Sequence, residues 1–146
     1  MKEPQLRVEG IPVYFDTKYR FMAQAEGLWP MRRWIRVGAQ WMTLDARAKM
    51  GVLYHEAYHI KAWHKWRRVF ALLLPIPSLL QRSIHGHEYD ADRFAKSKGF
   101  GADFARALTR YPEGRRHDDR WFHPPLLERL KRLTVSEDET VTKLAA

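Results

Sequence analysis

The sequence predicts an α+β domain in which a small N-terminal β-sheet packs against helices. Apolar residues alternate near the start, at Leu6, Val8, Ile11, Val13 and Phe15, around Glu9-Gly10, as they do in strands joined by a short turn. After Asp45 the apolar spacing changes to the three-and-four period of helices. The chain has 146 residues, 45% hydrophobic and 29% charged, enough to bury one core without staples.

Taken in order, residues 6–15 predict strand, either one strand or a short hairpin, and Asp16 is placed to cap a helix running to about Glu26, with Gly27 as its stop. Trp34 to Val37 and Trp41 to Leu44 predict two short strands joined near Gly38. Asp45 then N-caps a long helix expected to reach Arg68. Further helices are expected from Gly86 to Lys98, from Asp103 to Arg110, and from Pro124 to Leu133, where proline suits a first turn because its missing N–H costs nothing there. The expected division is one domain over residues 1–135 and a polar, frayed tail over 136–146.

Composition narrows the function. There is no cysteine, which removes disulfide scaffolds, thiol nucleophiles, iron–sulfur clusters and cysteine-ligated zinc, and fits a reducing, cytoplasmic setting. Lys and Arg exceed Asp and Glu by 26 to 17, but the positive charge is spread along the chain with no zinc-finger, RNP-type or P-loop pattern. A solvated basic surface is therefore preferred over nucleic acid as the explanation. The longest apolar stretch, Val69 to Leu80, contains Pro75 and Pro77 and is shorter than the ~20 residues a membrane-spanning helix needs. With Trp63, Trp66, Arg67 and Arg68 ahead of it, segment 63–80 is either core-packed or a peripheral contact with a lipid surface.

The chemistry concentrates in His55-Glu56-Ala57-Tyr58-His59 on the long helix. Histidines four apart stand one turn apart on one face, so both imidazoles reach one metal ion. Glu56 is rotated about 100° from His55, too far to be a natural third ligand but suited to a metal-bound water. This is the arrangement of a hydrolytic zinc site. On the same helix Ala46, Met50, Leu53, Ala57 and Ile60 form one apolar stripe, and Ala48, Val52, His55 and His59 lie roughly opposite. Such a helix is buried between two layers.

A catalytic zinc keeps three protein ligands and an open position. The metzincin pattern would need glycine at 62 and histidine at 65, where this chain has Ala62 and Lys65. The remaining candidates for the third ligand are Glu88 and, against it, His85, His87, His117 and His123. Glu88, Ala91, Asp92 and Ala95 form a stripe on the second helix, and Asp92 is placed to accept the N–H of a ligating histidine.

His55-Glu56-x-x-His59, Glu88-x-x-Ala91-Asp92 and His123-Pro124-Pro125-Leu126-Leu127-Glu128-Arg129-Leu130 together resemble, in order, three signatures of the zinc endopeptidase family of the CaaX prenyl proteases and HtpX-like heat-shock proteases. The resemblance spans about residues 41 to 133. It implies a gluzincin-type catalytic domain like the compact soluble minigluzincins, a small sheet with an active-site helix and a second metal-ligand helix. It also implies Zn2+ on His55, His59 and Glu88, Glu56 as general base and a peptide or protein substrate, here expected to lie along Trp41 to Leu44 as an added strand. His123, Tyr111 and Arg129 are the candidate oxyanion stabilisers. The competing expectations are an ImmA/IrrE-like regulatory metalloprotease, a latent enzyme covered by its tail or by the 69–80 segment, and a non-catalytic zinc-stabilised module that binds nucleic acid or lipid.

Overall fold

The computed structural model describes residues 4–28, 32–62, 77–111 and 123–135. It is α+β. Strands β1 (Leu6–Val8), β2 (Ile11–Phe15), β3 (Ala23–Leu28) and β4 (Arg32–Val37) precede five helices, α1 (Ala39–Met42), α2 (Ala46–Lys61), α3 (Pro77–Ser97), α4 (Gly101–Arg110) and α5 (Leu126–Thr134). The sheet order is β1-β2-β4-β3. β1 with β2 and β3 with β4 are antiparallel, and β2 with β4 is parallel.

The β1–β2 pair turns at Glu9 and Gly10, with φ of 50° and 78°. Two positive φ values in a row suit the right-handed twist of a two-residue hairpin, and glycine meets that demand without strain. Glu9 has no such freedom. Its carboxylate accepts from Lys61 at 2.5 Å and Lys98 at 2.9 Å, which ties the turn to the ends of α2 and α3.

Two sequence expectations are corrected here. The expected helix from Asp16 to Glu26 is a turn followed by β3. Asp16 Oδ1 accepts from the Lys18 N–H at 3.0 Å, a local turn rather than a helix cap. Ala, Gln and Glu favour helix in isolation, but Ala23 and Ala25 pair with Val37 and Ile35 while Gln24 and Glu26 face the other way. Sheet pairing overrides propensity, and Gly27, expected as a helix stop, is a strand residue opposite Arg33. The expected strand Trp41 to Leu44 is instead α1 and the turn after it. Trp41 and Leu44, three apart and both buried, satisfy a helical turn as well as a strand, and the Trp41 indole donates to the Lys49 carbonyl at 3.2 Å. That segment therefore offers no strand edge.

The remaining helices follow their spacing with shifted ends. Asp45 caps α2 through the Ala48 N–H at 2.9 Å, and residues 63–68 of the longer expected helix lie outside the described residues. α3 begins at Pro77, nine residues before Gly86, because Leu80, Ile84, Glu88, Ala91 and Ala95 continue one buried stripe. It stops at Gly99, where the Phe100 N–H reaches back to the Ala95 carbonyl. α4 starts at Gly101 and α5 at Leu126, just after Pro124 and Pro125. Among the described residues no helix is long and apolar enough to cross a membrane. Most of the expected lipid-contact segment 63–80 and all of the tail 136–146 lie outside the described residues.

α2 is the central element. Ala48, Val52, Leu53, Ala57 and Ile60 join one core with Val13, Ile35 and Val37 of the sheet and with Phe104 and Leu108 of α4. The expected two-sided burial is present, although Ala46 is exposed and Met50 only half-buried. α2 and α4 meet most closely at Gly51. Alanine gains about 1 kcal/mol of helix propensity over glycine, but a Cβ there would lie 2.8 Å from Phe104 Cβ and 3.1 Å from the Phe104 nitrogen. Overpacking of this kind costs about 1–3 kcal/mol. Gly51→Ala is therefore expected to lower the urea midpoint; a midpoint at or above wild type would show that α4 can move away without cost.

Candidate metal centre

α2 presents His55 and His59 on the side facing α3, and α3 presents Glu88 towards them. The two Nε2 atoms are 3.0 Å apart. Glu88 Oε2 lies 3.5 Å from His55 Nε2, and Oε1 lies 3.4 Å from His59 Nε2. Donors around a tetrahedral ion with bonds of 2.0–2.2 Å are separated by about 3.4 Å. Both imidazole–carboxylate spacings match this value, and the imidazole pair needs to open slightly. This buried group can hold a metal ion. Of the residues left open by the sequence, the structure brings Glu88 together with His55 and His59. His85 and His87 lie on the same helix outside this group, and His117 lies outside the described residues.

Behind the donors lies a buried ion network. Arg129, 1% exposed, projects from α5 and forks onto Asp92, Nε to Oδ2 at 2.9 Å and Nη2 to Oδ1 at 2.7 Å. Asp92 Oδ1 is in turn 2.9 Å from His55 Nδ1, though that N–H is not aligned for a good hydrogen bond. Arg129 Nη1 also lies 4.0 Å from Glu88 Oε2. Phe104 closes the floor, with its ring 4.8 Å from that of His55. Asp92 thus stands beside His55, where it can fix the tautomer that leaves Nε2 free for a metal.

Charge balance explains the chemistry. Two buried carboxylates, Glu88 and Asp92, face one guanidinium, so the cluster lacks one positive charge. Without a metal, protonated histidine supplies it. Burial disfavours the imidazolium, but the contacts with Asp92 and Glu88 outweigh this and raise His55 to about 10. Burial likewise opposes ionisation of Glu88, yet His59, His123 and His55 hold it well below the usual carboxylate range. Asp92 is lowered against its own burial, chiefly by Arg129.

Glu56 is not among the donors. It turns towards the sheet, where Oε2 accepts the Ala25 N–H of β3 at 2.6 Å. His123 joins the site from the turn before α5, its Nδ1 3.3 Å from Glu88 Oε2. The other two candidate oxyanion stabilisers take different places. The Tyr111 hydroxyl bonds Thr43 Oγ1 at 2.7 Å, away from the donors. Arg129 is buried beneath Asp92 and Glu88 and acts on them. A sequence signal for that role exists: Arg129 falls on the same helical face as Leu126, Leu130 and Leu133, and an arginine on an apolar stripe needs a buried anion. The contacts of Phe104 and Ala25 with the site carry no such signal.

Comparisons with protein-family models, with curated proteins and with solved structures gave no match.

Two outcomes are expected. The raised pKa of His55 keeps the metal-free chain protonated there at pH 8, so loading with zinc should release one proton from His55 in addition to the one a zinc-bound water of pKa ~7 loses, about two per ion. Calorimetry in two buffers of different ionisation enthalpy measures this, and release of one proton or fewer would contradict a protonated His55. The same raised pKa means that this histidine stabilises the metal-free fold most fully below about pH 6.5, and that the contribution is lost as pH rises through about 10. Second, Arg129→Met leaves a buried carboxylate short of its partner and should cost about 3–5 kcal/mol of stability. Adding Asp92→Leu should return part of that loss. Full stability of the single variant in denaturant titrations would contradict the buried pair.

Proposed function

We propose that this chain is a zinc-dependent endopeptidase of the gluzincin type, with His55, His59 and Glu88 as metal ligands and Glu56 as general base. The convergence of the three donor atoms, with a second carboxylate, Glu56, on the adjoining face of α2 and at an outer strand, supports this most directly. The resemblance to the CaaX prenyl and HtpX-like proteases points the same way. Zinc bound there would lower the pKa of its water towards ~7 and polarise a scissile carbonyl.

The chain's own groups account for the rest. Asp92, steadied by Arg129, orients His55. Glu88 is kept ionised and so remains available as a ligand. β3 is an outer strand of the sheet and replaces Trp41 to Leu44 as the edge an extended peptide can join. The Ala25 N–H, now bonded to Glu56, is the donor that such a peptide's carbonyl would take, releasing Oε2 of Glu56. The freed carboxylate then accepts the proton of the attacking water and passes it to the leaving amine. His123, whose Nδ1 lies 3.3 Å from Glu88 Oε2, is the candidate to support the developing oxyanion.

Glu56→Gln separates these roles. Its metal content should equal that of wild type, while cleavage of an unfolded protein substrate falls by roughly 10²–10⁴-fold. Cleavage at the wild-type rate by the metal-loaded variant would remove Glu56 from the mechanism.

A further inference from the structure

A groove of about 440 Å³ runs between α3 and α5, with Asp92 among its lining residues. Four cations line it, Arg93 and Lys96 from α3 and Lys131 and Arg132 from α5. Its two carboxylates, Asp92 and Glu128, are already engaged. Asp92 holds Arg129 and faces His55. Glu128 accepts from Arg132 at 2.9 Å and from the Tyr89 hydroxyl. The groove therefore carries an excess of two positive charges over a floor that is charge-compensated.

The four cations differ in how freely they can receive a ligand. Lys96 Nζ is committed to the carbonyls of Arg132 and Val135 at 2.9 and 2.5 Å, which closes the C-terminal end of α5. The Arg132 guanidinium lies 3.9 Å from the centre of the Tyr89 ring and donates through Nη2 to Glu128 at 2.9 Å, an arrangement that stiffens it at the wall of the groove. Arg93 is 72% exposed, with one loose pairing to Asp90 at 3.6 Å. Lys131, on the exposed side of α5, has no ion pair among the described residues. Two anchored cations thus stand beside two that are able to swing in.

We propose that this groove binds a compact phosphorylated molecule bearing two anionic groups, one met by Arg132 and the other by Arg93 and Lys131. The volume fits a small-molecule ligand, and the cations close around a hollow rather than form the extended stripe that a nucleic acid strand requires. Planar guanidinium groups suit phosphate oxygens. The inference does not depend on the metal site or on peptidase activity. A chemically similar occupant exists within the chain, since Glu137, Asp138 and Glu139 follow Val135 closely in sequence, and the test separates the two.

Fructose 1,6-bisphosphate serves as the probe, titrated into full-length, isotope-labelled chain and followed by amide chemical shifts. Saturable shifts over residues 89–96 and 128–135 are expected. Arg93→Glu with Lys131→Glu, two exposed changes that leave the α5 cap at Lys96 intact, should weaken binding by about tenfold or more. Neutralising the tail as Glu137→Gln, Asp138→Asn and Glu139→Gln should change affinity by less than about twofold. Absence of binding to either the wild-type or the neutralised chain overturns the proposal, as does binding indifferent to the double charge reversal. Markedly tighter binding after neutralisation assigns the groove to the chain's own tail and overturns the free-ligand assignment.

Discussion

Four groups that water would otherwise solvate, Glu88, Asp92, Arg129 and His55, are buried together, and each is tolerable there only because of the others. An isolated ion in such a place costs several kcal/mol. The fork from Arg129 removes that cost for Asp92, and Asp92 in turn sets the face that His55 presents. One charge remains uncompensated, and a proton on His55 or a cation between the donors supplies it. Proton and metal therefore compete for the same lone pair, which links occupancy of the centre to pH and to the stability of the fold.

The fold is arranged to place those groups. α2 has apolar contacts on both sides, so its histidines cannot face open solvent. Its N-terminus is fixed by the Asp45 cap and its far end by the Glu9–Lys61 pair. Gly51 lets α4 approach until Phe104 lies beneath His55. α5 brings in Arg129 from more than thirty residues beyond the α3 residue it meets. Glu56 gives a second connection, from α2 to the outer strand β3, so the carboxylate proposed as base also monitors the strand where an extended peptide would join.

Legibility in the sequence followed the range of the interactions involved. The long helices α2 and α3 were readable because a stripe of buried positions repeats over several turns, and the His55–His59 pair inherited its geometry from α2. The strand character of residues 6–15 was readable from their apolar alternation, while the turn at Glu9-Gly10 that makes them a hairpin was only one of two readings. β3 was not, since Ala23 to Glu26 is helix-favouring in isolation and becomes strand only by pairing with β4. α1 was missed because a four-residue element carries too little periodicity to separate a turn of helix from a strand. In the centre, spacing along α2 gave two ligands, but the choice of Glu88 depends on how α3 packs against α2, and the function of Arg129 depends on α5 docking on both. These are tertiary facts, and the sequence only restricted the candidates.

Whether His55, His59 and Glu88 form one metal site can be read by native mass spectrometry of the full chain, purified without chelators and supplied with one equivalent of zinc. A single zinc ion is expected on the wild-type chain and its loss from Glu88→Ala under the same conditions, with the variant still folded by circular dichroism. A wild-type chain that takes up no zinc, or a Glu88→Ala chain that retains it equally well, would rule the site out.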